Sequence, residues 1–363
     1  MRVAGLFGLL LTGAAGSHAA AQAHFSIIGT APGYAQIGAL SGSTLYGTLP
    51  NGAGVLFSMS TTGSYTPLHN FTAGTDGSGP NAQLAIDKAG DLYGTTRSGG
   101  AYGGGTLWEY TASGSFLTLH SFGGGSDGAV PMQGPTLGKH GTVYGTTGEG
   151  AIGGSGNIFS YGQNSGYDVL YEFMSGADGH CPFSGVAVAK NGTLYGTTVG
   201  VGTGGNPNGS VFKYSAAGGL QTMYVFADGA DGEWPTQTPT TDGSGDVFGT
   251  TSTQKGASFA GAVWKIDSVS GFSLLHNLNG STDGYAPNSP LLFDRHTLYG
   301  TTASGGSENE GTVFSVTKDG SFAVVHSFTN TGDGEQPTGN LVKDSADTLY
   351  GGTATGQVFK LTP

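Results

Sequence analysis

The sequence predicts an all-β chain, a seven-bladed β-propeller of four-stranded antiparallel blades closed by its own N-terminal strand. Three observations predict it. An aromatic-glycine mark recurs as "TLYGT" at 44–48, "DLYGTT" at 91–96, "TVYGTT" at 142–147, "TLYGTT" at 193–198, "DVFGTT" at 246–251, "TLYGTT" at 297–302 and "TLYGGT" at 348–353. Its aromatic falls at Tyr46, Tyr93, Tyr144, Tyr195, Phe248, Tyr299 and Tyr350, at intervals of 47, 51, 51, 53, 51 and 51 residues, which is a tandem repeat. Each repeat offers four strand-like segments, the content of one propeller blade. Finally, one segment type is a copy short at the C-terminus, and a spare copy stands near the N-terminus.

The segments follow in a fixed order. After each mark and a glycine-rich loop comes an apolar-aromatic strand, such as "GTLWEYT" (105–111) or "GTVFSVT" (311–317). A second aromatic strand follows, of the type "TLHSF" or "VLYEF", and then a D-G-x-x-P turn beginning at Asp76, Asp127, Asp178, Asp231, Asp283 and Asp333. A more polar strand, such as "AQLAIDKAG" (82–90), leads to the next mark. The second aromatic strand is missing after "GQVFKLT" (356–362), and "HFSIIG" (24–29) can supply it. Such closure removes two sheet edges that would otherwise invite aggregation. The glycine of "YGTT" fits crowding between neighbouring blades close to the axis, and the loop glycines supply tight-turn freedom.

Composition agrees. The chain has 363 residues, 71 of them glycine, with 24 acidic and 12 basic side chains and a net charge of −12. Periodic aromatics argue against glycine-rich disorder. An acidic surface without a Lys/Arg cluster repels phosphate backbones, so nucleic acid is not an expected partner. "MR", the apolar run "VAGLFGLLLTGAAG" and the small-residue site "AQA" at 21–23 read as a signal peptide over 1–23, leaving one mature domain over 24–363. No later segment is long and apolar enough for a membrane-spanning helix. An exported protein, periplasmic or extracellular and monomeric, is expected. Cys181 is the single cysteine, so no internal disulfide forms.

The combination "LYGTT…GG…GTVF…LHSF…DG…P" resembles the GloVer tandem repeat of bacterial exported proteins with assorted anchoring devices. The resemblance covers roughly 30 to 363. It implies a propeller-like fold and export, and it brings no activity with it. The chain departs from the pattern at Gly29, where the turn aspartate belongs, and at Leu278, which replaces the terminal phenylalanine of the second aromatic strand.

Most repeated polar residues have a structural reading. His69, His120, His276 and His326 share one repeat position with Tyr171 and Tyr224, which suits a half-buried packing site with a polar tip better than a metal ligand. The turn aspartates are expected to accept backbone amides. Trp108 and Trp264 replace Phe in a core strand. No metal, cofactor or catalytic residue is assigned, because no zinc motif, P-loop, dinucleotide fingerprint or nucleophile elbow is present.

Function is expected where the repeats differ on a shared face. The variable pair inside the D-G-x-x-P turn gives His180, Glu233 with Trp234, Tyr285 and Glu335 on four consecutive repeats. Aromatic faces beside carboxylates and hydroxyls suit a carbohydrate. The favoured reading is a non-catalytic binding module for a carbohydrate or a cell-surface protein. The alternatives are a polysaccharide lyase or glycoside hydrolase using the polar residues at one mouth, and a structural surface protein.

Overall fold

The computed structural model describes residues 23–151, 153–200, 208–227, 229–252, 260–267 and 269–363. All but Ala23 of the expected signal peptide therefore lies outside the described residues. The chain is an all-β propeller, with two 3-10 turns, Gly125–Asp127 and Lys139–Gly141, as the described helical elements. Five sheets of four or five strands each follow one repeat from inner to outer strand. The third repeat, for example, orders Thr136–Leu137, Val143–Thr147, Asn157–Gly162 and Gly166–Glu172.

Hydrogen bonding divides the strands into six sheets rather than seven separate ones, because the sixth sheet has eight strands. A single parallel bridge, Ile37 to Gly339, joins Gln36–Ser41 of the first repeat to Pro337–Lys343 of the last. Gly339 lies at φ +72°, and a Cβ there would come 2.9 Å from the Gln36 and Ile37 backbone, so only glycine permits this approach.

At the outer edge of this sheet, His24–Thr30 pairs antiparallel with Gln357–Thr362. The Ala31 amide then donates to the Gly356 carbonyl at 2.8 Å, as Phe122 does to Gly105 and Phe173 to Gly156 at 2.9 and 3.0 Å. The first and last repeats also share one apolar cluster containing Ile37, Leu45, Phe57, Tyr350 and Val358. The N-terminal segment thus occupies the outer-strand seat of the last repeat. The register corrects one assignment: Gly29 pairs with Val358 as His120 pairs with Leu107, so Gly29 fills the His/Tyr position and not the aspartate position.

The apolar-aromatic strands are buried on both sides because each sheet is packed between two others. Leu107, Trp108, Val211, Phe212, Val263 and Trp264 are fully buried. Each apolar cluster mixes alternate residues of successive repeats, as in Leu56, Leu92 and Trp108, or Val211, Val247 and Trp264. Period-two alternation sends one set of side chains to each neighbouring sheet. The indole N–H groups of Trp108 and Trp264 are buried without a hydrogen-bond partner, consistent with phenylalanine at this position in the other repeats.

The mark's glycine has a different cause from the one expected. Gly94 pairs with Trp108, Gly145 with Phe159, Gly196 with Phe212 and Gly300 with Phe314, each across adjacent strands of one sheet. A Cβ on Gly94 would sit 2.1 Å from the Trp108 ring. The crowding therefore comes chiefly from an aromatic ring of the same sheet lying flat over the glycine.

Candidate ligand-binding face

The repeated aspartate organises each turn. Asp178 accepts the Met174 and Gly176 amides at 2.9 Å each and the Tyr171 hydroxyl at 3.0 Å. Asp231 repeats this with Ala227, Gly229 and Tyr224. In four other repeats histidine takes the tyrosine's place, its Nε2 lying 2.8–3.3 Å from Asp283, Asp76, Asp333 and Asp127. The expected amide bonds are present, and the half-buried His/Tyr position has a purpose that sequence reasoning missed. Its signal was the constant spacing of seven residues between this position and the aspartate. The same rings stack on the next repeat: His69 on Phe116, His120 on Tyr167 and Tyr224 on Phe272, at 3.7–3.8 Å between centroids.

The second variable residue of every turn is left-handed: Gly79, Val130, Cys181, Trp234, Ala286 and Gln336 have φ between +47° and +65°. For a β-branched residue such as Val130 this costs roughly 1–3 kcal/mol. The geometry turns each amide onto the preceding repeat's loop, with Val130 donating to Gly104 at 2.8 Å and Trp234 to Asn208 at 2.9 Å. The following proline packs against a loop glycine there, since a Cβ on Gly105 would lie 3.0 Å from Pro131 and one on Gly209 2.7 Å from Pro235. The turn is a clamp between successive repeats. Its first variable residue pairs with the glycine-rich loop of its own sheet, through the bridges His180 to Gly200 and Glu233 to Ser252 and the strand pair Tyr285 to Ser304. Turn and loop share one face.

The expected site residues lie along this rim, one turn apart. Trp234 and Tyr285 are 42% and 45% exposed. The Tyr285 ring folds over Gly280 and borders a shallow groove with Ser281, Glu308 and Asn309. His180 is half-buried, its ring over Gly200. Glu335 is half-buried and accepts the Asn330 amide at 2.9 Å. Glu233, by contrast, is only 6% exposed. Cys181, next to His180, is half-buried, and burial pushes its thiol pKa up.

A cavity of about 470 Å³ opens on the same face, inside this rim. Its walls come from residues in or just beside the innermost strands of six repeats: Gln36, Asn81, Gln133, Gln237, Asn288 and Asn340, with Tyr34, Arg97 and Met132. Convergence of innermost strands from several sheets places it on the propeller axis. None of the five rim residues lines it, and among the described residues no carboxylate does. The amides are held: Asn81 Nδ2 donates to Thr95 Oγ1 at 2.8 Å and to the Pro131 carbonyl at 2.9 Å, and Asn288 Nδ2 to the Pro337 carbonyl at 2.6 Å. Thr238 Oγ1 reaches Gln83 Oε1 at 2.9 Å, tying together two repeats far apart in the chain. Burial raises the Tyr34 pKa, partly offset by the nearby Arg97 guanidinium. Sequence reasoning missed this set. Its signal was the polar character of the strand after each turn, unexpected for the strand nearest the axis.

Among the described residues no group of three or more His, Cys, Asp or Glu is placed to hold a metal, and no helix is long and apolar enough to cross a membrane.

Solved structures share the architecture. A streptogramin B lyase superposes with a TM-score of 0.61 at 13% identity, over 93% of this chain and 97% of the other. A catalytically inactive virginiamycin B lyase from Staphylococcus aureus with quinupristin gives 0.65 at 14%, over 94% and 100%. BamB from Moraxella catarrhalis gives 0.52 at 16%, over 94% and 98%. At such identities the likeness shows the fold alone. No curated protein matches the sequence. The Gloeobacter/Verrucomicrobia repeat matches twice, over residues 20–206 and 199–363, and the chain belongs to that family.

Proposed function

We propose that this chain is an exported, non-catalytic binding module that holds a carbohydrate on the face formed by its turns and glycine-rich loops. The axial cavity carries the reading. Its lining of side-chain amides, a tyrosine and one arginine both donates and accepts hydrogen bonds, as sugar hydroxyls require. Among the described residues its lining holds no carboxylate to serve as acid or base in a glycosidase mechanism. Trp234 and Tyr285 supply exposed rings at the rim for stacking, with His180 and Glu335 beside them and Glu233 buried. Export rests on the N-terminal pattern of residues 1–23, and a monomer suits a ring with paired edges.

In this reading each repeat is one blade, seven in all. The eight-stranded sheet divides at its single parallel bridge into two four-stranded halves, which supports that count. Seven apolar clusters among the described residues support it too.

The test is a polysaccharide and oligosaccharide array, read for binding and for product release together. Binding without product is expected. Trp234→Ala should weaken it at least ~30-fold, the loss of an aromatic anchor, while the melting temperature stays nearly unchanged. Binding on the opposite face, or steady release of shortened sugar, would overturn the reading.

A further inference from the structure

Among the described residues that line the cavity, Arg97 is the one that carries a formal charge. Lys265, Arg295, Lys318 and Lys343 are all neutralised by aspartates. Arg97, like Lys88, Lys139, Lys190, Lys213 and Lys360, makes no ion pair among the described residues, but it is the one of these that lines the cavity. Its side chain is nonetheless positioned. Asn81 is 5% exposed, and both of its other bonds are fixed to Thr95 and to the Pro131 carbonyl. Asn81 Oδ1 is thereby aimed at Arg97 and accepts its Nε–H at 3.3 Å. That bond engages the inner nitrogen and leaves both terminal nitrogens without a protein acceptor among the described residues. Thr95 extends the support by donating to the Gln133 carbonyl at 2.9 Å.

A guanidinium held by Nε with its two outer nitrogens open matches a carboxylate. The amides around it suit hydroxyls, whereas an acidic peptide would also need apolar pockets, and the apolar lining is limited to Pro50, Pro80, Ala82 and Met132. We propose that the axial cavity takes a uronate-containing oligosaccharide, with Arg97 receiving the carboxylate and Asn81 fixing Arg97 in place. This rests on the carbohydrate-binding reading above and narrows its ligand class.

The experiment is calorimetric titration of the full chain with a galacturonate tetrasaccharide and, separately, with its fully methyl-esterified form. The acid should bind ~10- to 100-fold more tightly than the ester, the margin of a charge-assisted bidentate pair. Arg97→Gln should abolish that preference by weakening the acid and leaving the ester unchanged. Arg97→Lys should retain part of it, since a lysine keeps the charge and loses the fork. Melting curves of the variants verify the fold. Equal binding of acid and ester, or a preference that survives Arg97→Gln, refutes the proposal. So does displacement of the bound sugar by an acidic peptide of higher affinity, which would assign the cavity to a protein partner. If neutral glycans bind this face and uronates do not, this inference fails while the carbohydrate reading stands. If no glycan binds, both fail.

Discussion

Replacing Phe25 by alanine tests whether the N-terminal strand is part of the ring or an appendage. The Phe25 ring stacks on His326 with centroids 3.8 Å apart and planes 4° apart, and it meets Phe328 edge-on at 5.8 Å. Phe116 sits the same way on His69, and Phe322 on His276, each at 3.8 Å. These contacts lie within one continuous stretch of chain, whereas Phe25 brings together the two ends of the sequence. A fully buried Phe→Ala change costs about 3–5 kcal/mol. All three phenylalanines are half-buried, so about 2 kcal/mol is the reasonable figure for each. With an unfolding entropy of ~2 cal/mol/K per residue, that corresponds to a shift in Tm of ~3 °C in a chain of this length. Calorimetric melting of Phe25→Ala, Phe116→Ala and Phe322→Ala under one set of conditions should give shifts that agree within about a third. If Phe25→Ala is silent while the other two destabilise, the strand does not carry the closure and the reasoning is refuted.

Two further outcomes follow from the packing and the turns. Gly94→Ala places a methyl 2.1 Å from the Trp108 ring and should cost about 3 kcal/mol, the upper end of overpacking. Urea titration should show that Trp108→Leu recovers part of this loss in the double variant, and strict additivity would contradict the ring-over-glycine account. Stability should also fall on acidification. Burial pushes His120 and His326 below the ordinary histidine value of 6.5 despite their aspartate partners. Burial also pushes Asp76 and Asp283 up, but hydrogen bonds from Thr72, His69, His276 and Asn279 together leave both below 3.8. In every case the folded state binds fewer protons than the unfolded chain, so stability rises with pH. The histidine part is complete above about 6.5 and is lost as pH falls through the lower folded values. The aspartate part is lost beneath about 3.8. Urea midpoints should decline from pH 7 to 5, and His326→Tyr, which installs the residue present at Tyr171 and Tyr224, should flatten that limb. A midpoint that rises over this range would show the sign to be wrong.

The sequence by itself determined the repeat, its strand order and the closing role of residues 24–29, because these depend on local alternation and on counting. A strand buried on both faces carries apolar residues at successive positions, as Leu107 and Trp108 do, and a turn with Asp-Gly and Pro announces itself in the chain. It also determined that the turn aspartates accept amides, since that bond spans four residues or fewer. The tertiary structure decided what depends on neighbours distant in sequence. The glycine of "YGTT" faces Trp108 or its phenylalanine counterparts across a strand pair, a register that the one-dimensional pattern does not specify. Glu233 and Trp234 are adjacent in the chain, yet Trp234 is 42% exposed and Glu233 6%, a difference their sequence positions do not show. The axial cavity is invisible in any single repeat, because it draws single residues from in or just beside innermost strands some 50 positions apart. Only closing the ring brings Gln36, Asn81, Gln133, Asn288 and Asn340 to one wall, and only there does Arg97 become the one charged side chain among the described residues that line the cavity.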